Sequence, residues 1–562
     1  MTGVARQGAS RDAAAAVPAE QVITPAVLAE QVITPAVPAE QVITPAVLAA
    51  PIRLLADDAL EGRGPGTRGD QLARLYLAST LALLGLDPAF PGGSYEQPVD
   101  LLGVVTRAPA IWTFRAGARR MALEDGTDFV ASSGIAAARA AVRDAEIVFA
   151  GYGIEAPEFG WDDFKGKDLR GRVLLLLNDD PDWDPELFAG PRRLYYGRWT
   201  YKFESAARQG AVGAILLHTP KSAGYPWQTV RTSWSGENSR LAEVPQGRGL
   251  VVEAWITDDA ARRLAALAGH DLDALVAAAR SRAFAPVSLG VTTSLVLDNE
   301  VRRYATANVG GLLRGGDPEL ADEVVVFSAH HDHFGVKPSP DGRREIYNGA
   351  LDNAAGVAQV LAIARAFTAL PERPRRSILF LALAAEEQGL LGSEYFVKHA
   401  PVPLSRLVAN LNVDGGNVFG RTTDVGVVGL GKSSLDEHLA AAAQAQGRSV
   451  AGDPFPDRGM FYRSDQFNFA RSGVPALFPR AGVLYVGRPP DWGRERVDAW
   501  IERNYHQPSD DWDPAWDLTG MVDDARLLFR AGLSVADADV APAWLPGDEF
   551  APARPAANGA TR

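Results

Sequence analysis

The 562-residue chain contains no cysteine, which excludes disulfides, thiolate zinc sites, iron–sulfur clusters and cysteine nucleophiles together. Any metal must be held by His, Asp and Glu. No apolar run approaches the ~18 residues of a spanning helix, the best stretches being Val173 to Leu177 and Ile378 to Ala385. No membrane span is expected, and the chain reads as soluble. Basic residues are the minority, 56 against 69 acidic for a formal charge of -13, and no Lys/Arg-rich block is present. That balance argues against nucleic acid and anionic membranes as partners. After Arg6 and Arg11 only Ala13 to Val17 is apolar, short of the ~7 to 15 residues of a signal core, so no export signal is readable. What is present, 47% hydrophobic and 22% charged residues, predicts a sizeable buried core, and the length predicts several domains.

Residues 21 to 50 repeat a ten-residue unit, QVITPAVLAE, QVITPAVPAE, QVITPAVLAA. A Pro in every copy opposes continuous helix or ladder, so residues 1 to 50 are expected to form an extended linker, with folded structure starting near Pro51. Between 145 and 290 short strands such as EIVFAGYGI, GRVLLLL and AVGAILLH sit among polar, Gly- and Trp-rich loops, which predicts a small, separate domain. After Asn308 apolar strand runs alternate with amphipathic helices, from EVVVFSA through VAQVLAIARAF and SILFLALA to SRLVANLNV and VPALFP. This predicts an α/β protein whose sheet is flanked by helices on both faces. Residues 51 to 144 carry too few strands to stand alone and are expected to open the same domain, which resumes over 291 to 540. The Pro- and Ala-rich tail from 541 to 562 is expected to be loose.

Open α/β sheets bind ligands beyond the carboxyl ends of their strands. EVVVFSA runs into His330, His331, Asp332 and His333; SILFLALAA into Glu386 and Glu387; LVANLNV into Asp414. Asp352 lies in the Gly-rich turn YNGALDNAAG, and Asn504, Tyr505 and His506 share a loop. Four of the eight histidines fall in these places, which a random surface distribution would not produce. Imidazole and carboxylate suit zinc. Three carboxylates and two imidazoles exceed the needs of one tetrahedral ion and suit two ions sharing a carboxylate, an arrangement used for hydrolysis. Adjacent carboxylates at a strand end can diverge, one onto metal and one toward water as general base.

A competing motif runs from Gly426 to Ser433 and satisfies the phosphate-loop pattern, which would indicate a P-loop nucleotide hydrolase. The next strand, VPALFP, ends in Pro and Arg rather than an acid for magnesium. Lys432 is therefore expected in a turn or on the surface.

The segments FSAHHDHFG, YNGALDNAAGVA, LALAAEEQGLLGSEYF, NLNVDGG, RSDQFNFARSGVPALF and NYHQPSDDW together resemble the M28 zinc peptidases, in order and at similar spacing. Residues 145 to 255 resemble the protease-associated (PA) domain inserted in many members. The resemblance implies a zinc aminopeptidase-like fold with two Zn2+ per chain and peptide substrates. His330, Asp414 and bridging Asp352 would hold one ion, and Glu387, His506 and Asp352 the other. It further implies Glu386 as base and Asp332 as the residue orienting His330. Aminopeptidase activity is the reading of choice. A noncatalytic binding module on the same fold is the alternative outside the enzymes, with carboxypeptidase and glutaminyl cyclase the alternatives within them. Export to the periplasm or medium is implied by the resemblance alone; a cytoplasmic location fits the unreadable signal. His331 and His333 are expected to be loop or supporting residues, and Asp510 is left outside the site.

Overall fold

A computed structural model describes residues 38–184, 187–234, 236–243, 249–339 and 341–554. Along the strand Val324–His330, Val325, Phe327 and Ala329 enter one core while Val324 and Val326 enter another. Ser377–Leu383 divides likewise, Ile378 and Phe380 to the first core and Leu379, Leu381 and Leu383 to the second. Period-two alternation with both faces apolar is what a sheet covered on both sides requires. The first core is closed by the helices Pro45–Leu55, Arg68–Leu83, Ala355–Thr368, Leu435–Ala445 and Thr519–Asp537. Leu391–Lys398 and Gln466–Arg471 close the second through Phe396 and Phe469. Val324–His330 lies between Ser377–Leu383 and Leu407–Asn412, parallel to both, and Ala476–Ala481 follows in parallel. Antiparallel strands Val287–Leu313 and Asp424–Val428 flank this parallel centre. The expected mixed sheet with helices on both faces is present.

A further pair of cores lies around the parallel strands Arg139–Phe149, Val173–Leu177, Gly213–His218 and Val252–Thr257. The 27-residue strand Val287–Leu313 serves both units. Its first half pairs with Arg139–Phe149, and its second with Glu96–Arg107 and Ser377–Leu383. Residues 51 to 144 do not all belong to the main unit. The hairpin of Ile111–Ala116 and Arg119–Glu124 buries Trp112, Phe114 and Leu123 in the inserted unit's core, together with Phe129. The smaller unit therefore opens near residue 108 rather than 145, because alternation in this hairpin directs its aromatic face there.

The expected linker is also shorter than 1 to 50. Residues 1–37 lie outside the described residues, but the last repeat copy forms most of the helix Pro45–Leu55. Thr44 caps it by accepting from the Val47 N–H, and Pro45 stands in the first turn, where a missing N–H costs nothing. Leu48, Ile52 and Leu55 recur at helical spacing and are fully buried. Arg526 donates to the carbonyls of Glu40 and Ile43, and Arg530 pairs with the Glu40 carboxylate. One Pro per ten residues stops a long helix but permits a short one started at the Pro. The tail likewise packs as far as residue 554, with Trp544 and Phe550 buried; 555–562 lie outside the described residues. Among the described residues no helix is long and apolar enough to cross a membrane.

Candidate metal centre

The site is assembled where parallel strands end. Val324–His330 delivers His330 and then His331, Asp332 and His333, all buried. Ser377–Leu383 leads to Glu386 and Glu387, and Leu407–Asn412 to Asp414. Asp352 arrives on the turn before the helix Ala355–Thr368, and His506 on the loop after Trp492–Arg503. All five expected ligands and Glu386 converge on one cleft.

Asp352 stands at the centre. Its Oδ1 lies 3.3 Å from His330 Nε2, and its Oδ2 lies 3.5 Å from His506 Nε2. Asp414 Oδ1 and Glu386 Oε2 approach the same His330 nitrogen at 3.8 and 3.9 Å. Glu387 Oε2 lies 3.3 Å from His506 Nε2. His330, Glu386 and Asp414 bring ligand atoms within 4.8 Å of one another, as do His333, Asp352 and Glu387. His330 Nε2 and His333 Nε2 are buried without a hydrogen-bond partner, and His333 Nδ1 and Glu387 Oε1 lie 2.6 Å apart but out of hydrogen-bond alignment. Buried polar atoms are normally satisfied, so this donor set suits a cation. Burial, reinforced by the surrounding carboxylates, pushes the Glu386 and Glu387 carboxyls well above the usual range.

Supporting residues hold these groups in place. Asp332 accepts the backbone N–H of Glu386 at 3.0 Å and of Glu387 at 3.3 Å. Its carboxylate is 3.9 Å from His330 Nδ1, which instead donates to the Asp332 carbonyl at 3.2 Å. Asp332 thus clamps the glutamate turn, and its main chain rather than its carboxylate orients His330. Asp510, left out of the expected site, accepts the N–H groups of Leu351 and Asp352 at 2.9 and 3.0 Å and fixes the Asp352 turn. Burial raises the Asp510 carboxyl to about 7. The Asn353 side chain ties this turn to the Asp414 loop, donating to the Val413 carbonyl and accepting from Gly415 N–H.

His331 is structural, with Nε2 3.2 Å from Asp70. His333 is more than a loop residue: Nδ1 lies 2.6 Å from Glu387 Oε1. Only its position three residues after His330 hinted at this. Arg63, also unforeseen, is fully buried and donates to the carbonyls of Leu55, His331, Asn348 and Gly349. Asp465 is fully buried with neither carboxylate oxygen partnered, and burial raises it to about 7. From the inserted unit, Ser233 Oγ lies 3.1 Å from His506 Nδ1. Beyond Asp414 the cleft opens into an apolar chamber walled by Phe419, Val425, Tyr485, Trp500, Ile501 and Leu528. Lys432 stands in the turn after the strand Asp424–Val428, as expected, but not on the surface. It is buried, 3.1 Å from Asp548 and 2.7 Å from Glu549, both supplied by the packed tail.

Fold and site together define an α/β protein with a cluster of His and carboxylate side chains at its strand ends that could hold a cation. Residues 308–529 match the model of Peptidase family M28. Over 262 residues it is 27% identical to the probable leucine aminopeptidase 2 of Aspergillus oryzae, covering 45% of this chain and 48% of that protein. It is 34% identical over 93 residues to aminopeptidase YwaD of Bacillus subtilis, covering 16% of this chain and 18% of that protein. The chain spans less than half the length of each of these curated relatives. The solved aminopeptidase from Aneurinibacillus sp. strain AM-1 shares the fold, with a TM-score of 0.50 at 18% identity over 89% of this chain and 95% of that one.

Proposed function

We propose that the protein is a zinc-dependent aminopeptidase that uses two zinc ions and releases apolar residues from free peptide N-termini. One observation carries the reading: the two oxygens of Asp352 diverge, at 3.3 Å from His330 and 3.5 Å from His506, between two separate sets of ligand atoms. His330, Asp414 and Asp352 would hold one ion, and Glu387, His506 and Asp352 the other, with His333 in reach of the second. Zinc bound there supplies a Lewis acid for the scissile carbonyl and makes water acidic enough to act at neutral pH. Glu386, close to His330 and Asp414 but assigned to neither ligand set, would accept the proton of the attacking water and deliver it to the nitrogen of the leaving amine. Asp332 keeps Glu386 and Glu387 pointing apart by holding both of their N–H groups. The apolar wall of the chamber beyond Asp414 would receive an apolar side chain.

The family match and the aminopeptidases among the relatives support the same activity. Elemental analysis combined with a panel of free and N-blocked aminoacyl peptides tests it. Two zinc ions per chain and cleavage confined to free N-termini are expected. Cleavage of N-blocked peptides from the C-terminus would make the protein a carboxypeptidase, cyclisation of N-terminal glutamine a cyclase, and zinc binding with no turnover a noncatalytic module.

A further inference from the structure

The two histidines of the centre are supported in different ways. His330 directs Nε2 at Asp352 and Asp414, and its Nδ1–H goes to the carbonyl of Asp332, two residues along the same segment. His506 directs Nε2 at Glu387 and Asp352; with an ion on Nε2 the proton of the neutral ring would sit on Nδ1, which lies 3.1 Å from Ser233 Oγ and would donate to it. Ser233 belongs to the helix Trp227–Trp234 of the inserted unit, so this support crosses from one unit to the other. Nearby, Lys337 of the main unit donates to the Thr232 carbonyl at 3.0 Å and lies 4.1 Å over the Phe334 ring, which itself packs on His506.

We infer that Ser233 is a positioning residue for His506 and couples occupancy of the Glu387/His506 metal position to the seating of the inserted unit on the main one. The inference rests on the two-ion reading above. An imidazole whose free N–H is held presents its other nitrogen in one tautomer and orientation; without that partner it must be ordered by the ion itself. Coupling between two events is reciprocal, so an ion that needs the seated unit must also hold it in place.

Two measurements on the full chain test this. In the first, metal-depleted protein is titrated with zinc by calorimetry. Ser233→Ala should weaken one of the two binding steps by about 10- to 100-fold, the usual effect of removing such a partner, and leave the other unchanged. Ser233→Thr, which keeps the hydroxyl, should restore it. Hydrogen exchange of residues 227–234 forms the second measurement: zinc should slow it in the wild type and not in Ser233→Ala. Two wild-type steps that Ser233→Ala leaves within about twofold of their original strength overturn the inference while the two-ion reading stands. A wild type that takes up a single ion overturns the two-ion reading and the inference with it. Unchanged exchange in the wild type with and without zinc overturns the coupling even if the variant does not fold.

Discussion

Glu386 and Glu387 are adjacent, buried and held by the same aspartate, yet the mechanism gives them different work, and exchanging each for glutamine separates the two. Glu387 Oε2 is 3.3 Å from His506 Nε2 and its Oε1 is 2.6 Å from His333, so both oxygens face imidazoles. The nearest imidazole contact of Glu386 is 3.9 Å, at a His330 nitrogen that Asp352 approaches at 3.3 Å and Asp414 at 3.8 Å. Glu386→Gln therefore leaves three carboxylates and two imidazoles around the ions, and zinc content should stay at two per chain. Its turnover should fall about 10²- to 10⁴-fold, the contribution of a positioned general base. At 1.36 kcal/mol per factor of ten this is about 3 to 5 kcal/mol of lost transition-state stabilisation. Glu387→Gln replaces a charged ligand with a neutral amide and should lose or weaken one ion before any change in chemistry is measured. Elemental analysis and turnover on an aminoacyl substrate, run on both variants together, decide between these roles. A zinc-depleted Glu386→Gln beside a zinc-replete Glu387→Gln would reverse the assignment, and two fully active variants would remove the pair from the reaction.

Asp352→Ala should release both ions, because its two oxygens serve both ligand sets; metal analysis showing one ion retained with full activity would contradict the shared carboxylate. Ile52→Ala, in the helix grown from the last repeat, should destabilise the fold by about 2 to 5 kcal/mol in denaturant titration, the cost of a cavity at a fully buried site. An effect near zero would mean that this helix is not part of the core. Arg63→Met strips four carbonyls of a buried donor, so thermal unfolding should shift downward and zinc affinity should fall with it. An unchanged melting temperature would show that water replaces the guanidinium.

Much of the centre was legible because its ligands end apolar strand runs, and strand ends in an α/β sheet meet at one edge. His330, Glu387 and Asp414 are each visible as a polar residue after such a run. Asp352 and His506 stand in a Gly-rich turn and a loop, which have no period to read, so the resemblance alone gives each its place in a ligand set. The supporting residues were hidden for a different reason. Arg63 and Asp510 bind main-chain groups far away in the sequence, and a residue that satisfies a distant backbone leaves no local pattern. The same limit misplaced the unit boundary: the hairpin carrying Trp112 and Phe114 alternates as any strand does, and alternation tells which residues are buried but not in which core. In the last repeat copy the Pro reads as a helix breaker by composition, but its place just after a Thr cap makes it a helix starter.

The hidden residues also explain how the fold tolerates its own centre. The side chains of Asp332, Asp352, Glu386, Glu387, Asp465 and Asp510 are buried, and a buried cation close to them, Arg63, has its own pKa lowered by burial to about 10. Carboxylates so confined resist ionising together. Two of them, Asp332 and Asp510, offset this by accepting main-chain N–H groups, and they are the two that hold the glutamate and Asp352 turns. Asp352, Glu386 and Glu387 have no such donors and face one another across the cleft. Against its burial, Asp352 is kept well below the usual carboxylate range by the imidazoles of His330 and His506, whereas burial pushes Glu386 and Glu387 well above it, so divalent ions bound there would be the counter-charge that lets these two ionise beside Asp352.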